Sequence, residues 1–153
     1  MQIHSALMLN NPPPGREDIP WLDLTPANLR ILIVNEDMRS ADSLKCTLRE
    51  LGYCTTLTAY SAKRALLAAA DFSPSVALLD LELPDMSGFQ LAYKLRSHSL
   101  GGVRRVPLVA IAETRMFGNI ELARAAGFIG CLSKPVAPAE LSGVLRRLQG
   151  RDH

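Results

Sequence analysis

The stretch Val76-Ala77-Leu78-Leu79-Asp80-Leu81-Glu82-Leu83-Pro84-Asp85-Met86-Ser87-Gly88 decides how the chain is read. Val76 to Leu79 is apolar at every position and stops at an acid, Asp80. A strand with one face in water alternates apolar and polar residues. One that is apolar throughout is covered on both faces, the mark of a parallel sheet between helix layers. A helical face of Phe89, Ala92 and Leu95 begins just after Gly88, so the stretch reads as strand, polar turn, helix.

The same unit recurs on either side. Leu29–Val34 is a continuous β-type run ending in Asn35, Glu36 and Asp37. Ala41, Leu44, Leu48 and Leu51 follow at the spacing of one buried helical face, with Gly52 as the expected stop. Cys54–Tyr60 reads as a threonine-rich strand, and Ser61 can cap a helix from Ala62 to about Ala70. Downstream, Leu108–Ala112 is a fourth strand, introduced by Pro107. A helix within Thr114–Ala126 carries Ile120 and Ala123 and stops at Gly127. Phe128–Leu132 is a fifth strand, and Pro138 suits the first turn of a last helix with Leu141, Val144, Leu145 and Leu148 on its core face. About five βα units predict a doubly wound α/β domain: a five-stranded parallel sheet with helices on both faces.

Before Leu29 the composition differs. Five of the ten prolines lie in the first 26 residues, Pro12 to Pro14 in a row. That favours extended backbone, so residues 1–27 are expected to form an arm or linker and 28–150 the domain. Trp21, Leu22 and Leu24 within the arm are candidates for docking on the domain or a partner. Three scattered cysteines with no C-x-x-C pair argue against a disulfide framework or zinc site, and fit a cytoplasmic setting. No apolar run is long enough for a membrane span, and Met1–Leu9 has no Lys or Arg, so no signal peptide is expected. The net charge of +2 hides an asymmetry: 7 basic and 11 acidic residues up to Met86, then 10 basic and 4 acidic. No aromatics interleave the arginines, so solvated helix faces are preferred to a nucleic-acid surface.

In doubly wound folds ligands sit beyond the carboxyl ends of the strands. There the sequence puts Asn35-Glu36-Asp37, Asp80, Ala112-Glu113-Thr114 and Ser133-Lys134-Pro135. Hard oxygen donors of this kind suit Mg²⁺, and a lysine opposite them is a point charge suited to a phosphoryl oxygen. These are the ingredients of phosphoryl transfer to a carboxylate.

L-L-D-L-E-L-P-D-M-S-G from Leu78 to Gly88 resembles the phosphoacceptor motif of response regulator receiver domains, D-x-x-x-P-x-x-x-G after an apolar strand. Lys134-Pro135, 54 positions beyond Asp80, is similar to that family's K-P pair, and I-L-I-V-N-E-D from Ile31 to its first strand with an acidic pair. The match covers roughly Leu29 to Leu148 and implies the flavodoxin-like receiver fold. It further implies Asp80 as phosphoacceptor and Mg²⁺ held by Glu36, Asp80 and the Glu82 backbone carbonyl. Lys134 would contact the phosphoryl group, and its bond to Pro135 would be cis, while Pro84 and Gly88 shape the loop. A lone Asp at a strand end is ordinarily a turn residue or cap; Glu36, Lys134 and the loop favour the acceptor reading. Asp37 is read as a helix-start acid, Glu82 and Asp85 as solvent-facing loop residues, and Cys131 as a small core hydrophobe.

Three departures stand out. Asn35 replaces the first acid and would meet Mg²⁺ through water, so weaker metal binding is expected. Ala112 stands at the switch Thr/Ser position and lacks a hydroxyl whose bond to a charged group is worth about 1.5–3 kcal/mol. Cys131 stands where the family usually has Tyr or Phe. Both halves of the usual switch are thus absent, and Gly118 is the sequence's candidate for a mobile point in the fourth helix.

The expected partners are a histidine kinase or histidine phosphotransfer protein and an unknown downstream protein, with a homodimer open and neither nucleic acid nor membrane. Five residues follow Leu148, so no DNA-binding output domain is expected, and the arm could alternatively be the linker of a larger hybrid kinase. The competing reading is a pseudo-receiver acting as a phosphorylation-independent interaction module. An aspartyl phosphatase would want an Asp where Glu82 stands. Nucleotide binding has no Gly-rich phosphate loop behind it.

Overall fold

The structure, a computed structural model, describes residues 6–8, 28–113 and 120–149. Five parallel strands form its centre: β2 (Arg30–Val34), β3 (Thr55–Ala59), β4 (Val76–Asp80), β5 (Leu108–Ala112) and β6 (Phe128–Ser133). They agree with the five predicted strands to within a residue or two at each end. A sixth, β1 (Ala6–Met8), runs antiparallel along β6, in the sheet order β1-β6-β5-β4-β2-β3. These three residues, within the segment read from the sequence as an extended arm, pair as an edge strand. Trp21, Leu22, Leu24, Thr114 and Gly118 lie outside the described residues.

The apolar strands do what their pattern predicts. Along β2, Leu32 and Val34 face one core while Ile31 and Ile33 face the other. The first core is closed by α2 (Ala62–Phe72), α3 (Gly88–Arg96), α4 (Gly101–Arg104) and α5 (Ile120–Ala125), the second by α1 (Met38–Glu50) and α6 (Pro138–Leu148). Each fully buried leucine or isoleucine contributes roughly 1.5–3 kcal/mol. All five residues of β4 and of β5 are buried, so both central strands are covered on either face.

Helix ends follow local chemistry. Asp37 caps α1, its side chain accepting from the Arg39 amide and the Ser40 hydroxyl, as the helix-start reading expects. At the other end Gly52 has φ 100°, which lets its amide reach Arg49 O (3.0 Å) and the Tyr53 amide reach Leu48 O (2.9 Å). That pair of bonds satisfies the last carbonyls and returns Tyr53 to the core. Ser61 caps α2, and Ser87 with Gln90 forms a reciprocal capping box on α3.

Candidate functional site

Register brings the predicted residues to one edge. Val34 pairs with Leu79, Asp80 with Ile111 and Ala112 with Ser133, so Asn35, Asp80, Ala112 and Ser133 end their strands at nearly one level. Lys134 follows at once, its amide donating to Ala112 O at 3.0 Å, and the Lys134-Pro135 bond is cis.

Asp80 is 2% exposed, and both carboxylate oxygens are engaged. Oδ1 accepts the Glu82 amide at 2.9 Å; Oδ2 lies 2.6 Å from Lys134 Nζ. The Lys134 side chain is 28% exposed, so the pair has one buried member and one that meets solvent. A buried carboxylate without such a partner would be costly, which is why the lysine and the aspartate must be placed together.

Asn35 is buried, and its Oδ1 accepts the Asp37 amide at 2.9 Å. Glu36 is exposed at the end of β2, and Glu82 is exposed in the loop after β4. Ala112 is fully buried and offers the site only its backbone. Asn35 and Lys134 line a cleft of about 510 Å³ with Arg39, Ser40, Glu113 and Pro135, of which the sequence reading singled out neither Arg39 nor Ser40. Among the described residues no group of three His, Cys, Asp or Glu side chains gathers at a metal-binding spacing. Position 35, buried at the end of β2, is an asparagine and not an acid. The remaining oxygens, two carboxylates at neighbouring strand ends and the Glu82 carbonyl, suit a hard ion that keeps water or phosphate in its shell.

The loop from Leu81 to Ser87 is folded back on itself. The Gly88 amide donates to Leu81 O, and Glu82 and Ser87 form an isolated antiparallel bridge. A Cβ on Gly88 would stand 2.8 Å from both Asp80 O and Leu81 Cα, so only glycine admits this approach. Asp85 is exposed, as the solvent-facing reading expects, but its carboxylate is not without partners. Its carboxylate accepts the amides of Ala62 and Lys63 at the start of α2, at 3.0 and 2.9 Å. Those bonds, Lys63 first, hold its pKa below the ordinary value. Only the folded chain could reveal this partner, since the two elements are more than twenty residues apart.

Fold and site together define a doubly wound α/β protein with a buried aspartate–lysine pair beyond the carboxyl ends of its strands. Residues 31–146 match the response regulator receiver domain family. Among curated proteins, an uncharacterised 14.6 kDa protein of Leptolyngbya boryana is 32% identical over 117 residues, 76% of this chain and 87% of its own length. The DNA-binding response regulator MtrA of Mycobacterium tuberculosis is 35% identical over 80% of this chain, which spans 52% of MtrA. Hybrid signal transduction histidine kinase G of Dictyostelium discoideum is 31% identical over 120 residues, 78% of this chain and only 4% of the kinase. Among solved structures, a CheY-like receiver domain of Methylobacillus flagellatus superposes with TM-score 0.70 at 26% identity, covering 78% of this chain and 98% of that one. The receiver domain of a Pseudomonas aeruginosa sensor histidine kinase, solved with magnesium coordinated in its active site cleft, gives 0.70 at 28%, covering 80% and 98%. The chain belongs to the response regulator receiver family, a signalling module of two-component systems. No helix among the described residues is long and apolar enough to cross a membrane.

Proposed function

We propose that this chain accepts a phosphoryl group on Asp80 from a histidine kinase or histidine phosphotransfer protein. The observation that carries the reading is the 2.6 Å pair between Asp80 Oδ2 and Lys134 Nζ at the strand ends. In the transfer, a carboxylate oxygen of Asp80 attacks the phosphorus of phosphohistidine. The P–N bond breaks as the P–O bond forms, and the imidazole leaves with the bonding pair and takes up a proton. Lys134 then turns its charge from the carboxylate to a phosphoryl oxygen, and the Glu82 amide holds the attacking group in place. Glu36, Asp80 and the Glu82 carbonyl would hold Mg²⁺, with Asn35 reaching it through water. Bound there, Mg²⁺ supplies positive charge against the phosphoryl oxygens.

Ala112 and Cys131 favour a second reading, a pseudo-receiver whose contacts do not depend on phosphorylation. Both are buried small residues with no hydroxyl or ring to move. We assign residues 28–150 to the receiver and 1–27 to an arm, in a cytoplasmic protein acting through protein contacts, homodimerisation included. One experiment separates the two readings. The full chain is incubated with Mg²⁺ and acetyl phosphate or beryllofluoride, and wild type is compared with Asp80→Asn by intact mass and NMR. Phosphorylation that Asp80→Asn abolishes supports the acceptor reading. An unchanged mass and spectrum would sink it and leave the interaction module.

A further inference from the structure

The carboxylate of Asp85 leaves its own loop to cap a distant helix. Ser61 Oγ accepts the Arg64 amide, and Ser61 O accepts the Ala65 amide, the first bond within α2. The two amides before these, Ala62 and Lys63, are taken by Asp85 Oδ1 and Oδ2. The first turn of α2 is thus satisfied by two sources, one adjacent in sequence and one belonging to the loop between Asp80 and Gly88.

This loop has fixed ends and a fixed middle. At one end the Glu82 amide donates to Asp80 Oδ1; at the other, Ser87 caps α3 and the Gly88 amide returns to Leu81 O. Pro84 stiffens the turn just before Asp85. An ionised carboxylate accepting two consecutive amides resists both translation and rotation, and a helix N-terminus favours the negative charge. The chain of contacts is continuous: Asp80 carboxylate, Glu82 backbone, the Glu82–Ser87 bridge, Asp85, first turn of α2. Each oxygen of Asp80 has one donor, the Glu82 amide on Oδ1 and Lys134 Nζ on Oδ2, so a group added to Asp80 arrives beside both. The first of these belongs to the clamped loop.

We infer that Asp85 is a positioning residue for the chemistry at Asp80: it clamps the acceptor loop to the first turn of α2, fixes the Glu82 amide, and makes α2 move with that loop. The inference rests on the reading of Asp80 as phosphoacceptor, but the clamp itself can be measured without phosphate.

Three variants of the full chain decide it: Asp85→Ala, Asp85→Asn and Ser61→Ala. Ser61→Ala weakens the same helix terminus without touching the loop, so it controls for capping alone. Both alanine variants should melt below wild type. Only Asp85→Ala should speed amide exchange of Glu82 and Gly88, by about tenfold or more. After loading with acetyl phosphate and Mg²⁺, it alone should change the decay rate of the aspartyl phosphate, by about threefold or more. Ser61→Ala should stay within about twofold of wild type on both readouts. Asp85→Asn, with one acceptor oxygen left, should fall between, and it serves where the alanine variant does not fold. Equal effects of Ser61→Ala and Asp85→Ala, or unchanged exchange at Glu82 and Gly88 in the Asp85 variants, overturn the inference. A wild type that takes up no phosphoryl group overturns the Asp80 reading, while the exchange rates still decide the clamp.

Discussion

The thiol of Cys131 lies on β6 facing the core that α2 and α3 close, and burial pushes its pKa up to about 11. A thiol held neutral and out of reach is inert, whereas Cys46 and Cys54 are exposed. The native chain should therefore release colour from two thiols with a disulfide reagent at pH 8, and from all three in denaturant. Rapid reaction of a third thiol in the native chain would contradict the packing of β6. Asp85 predicts a pH effect whose sign follows from its lowered pKa. A carboxylate depressed in the folded state stabilises it above the ordinary carboxylate range, and that contribution fades as pH falls through the lower folded value. The melting-temperature gap between wild type and Asp85→Asn should thus be constant near neutrality and close below pH about 4. A gap unchanged at lower pH would mean the charge of Asp85 contributes nothing. At this scale the sequence reading put Asp80 and Lys134 at strand ends, where they pair, and Cys131 in the core, where it lies. It placed Asp85 on the surface, where it lies, but could not show its partners, because the amides it binds are more than twenty positions away in the chain.

Helix α3 shows how an element can be tied to a site at its first residue. In an ordinary exposed helix, Gly→Ala gains about 0.5–1 kcal/mol. At Gly88 the added methyl would meet backbone atoms of Asp80 and Leu81 at 2.8 Å, and neither can rotate away. Overpacking of this kind costs about 1–3 kcal/mol, so Gly88→Ala should lower the urea midpoint and perturb the Asp80 amide resonance. A stabilised Gly88→Ala would show that the loop after β4 can open at little cost. The long elements were legible because their apolar positions repeat: Ala41, Leu44 and Leu48 are the buried face of α1, and Leu141, Val144 and Leu145 that of α6. Two short ones were not. Helix α4 has four residues and β1 three, too few to express a period of 3.6 or 2. Ser87 and Gln90 did carry the S-x-x-Q signature of a capping box, and that signal was readable in advance.

Across the whole molecule, the sheet is asymmetric at its edges. β3 ends it on one side, while β1 covers β6 on the other, with Leu7 opposite Cys131. An uncovered β6 would present unpaired amides and carbonyls to any passing strand. Deleting residues 1–8 should therefore promote concentration-dependent self-association, visible as a rising mass in size exclusion with light scattering. A truncated chain that stays at the mass of the full chain at every concentration would show that the edge needs no cover. The sequence by itself determined the order of the five parallel strands and the long helices, the coverage of the sheet on both faces and the edge where the polar strand ends gather. Each of these is written in local patterns: unbroken apolar strands, the 3,4 spacing of helical faces, and polar residues at the strand ends. Only the tertiary structure decided that Asp80 and Lys134 meet at 2.6 Å, that Asp85 caps α2, and that Ala6–Met8 closes the edge at β6. Those contacts join residues far apart in the chain, and the register of parallel strands and the return of each crossover set them. No run of neighbouring residues encodes that geometry.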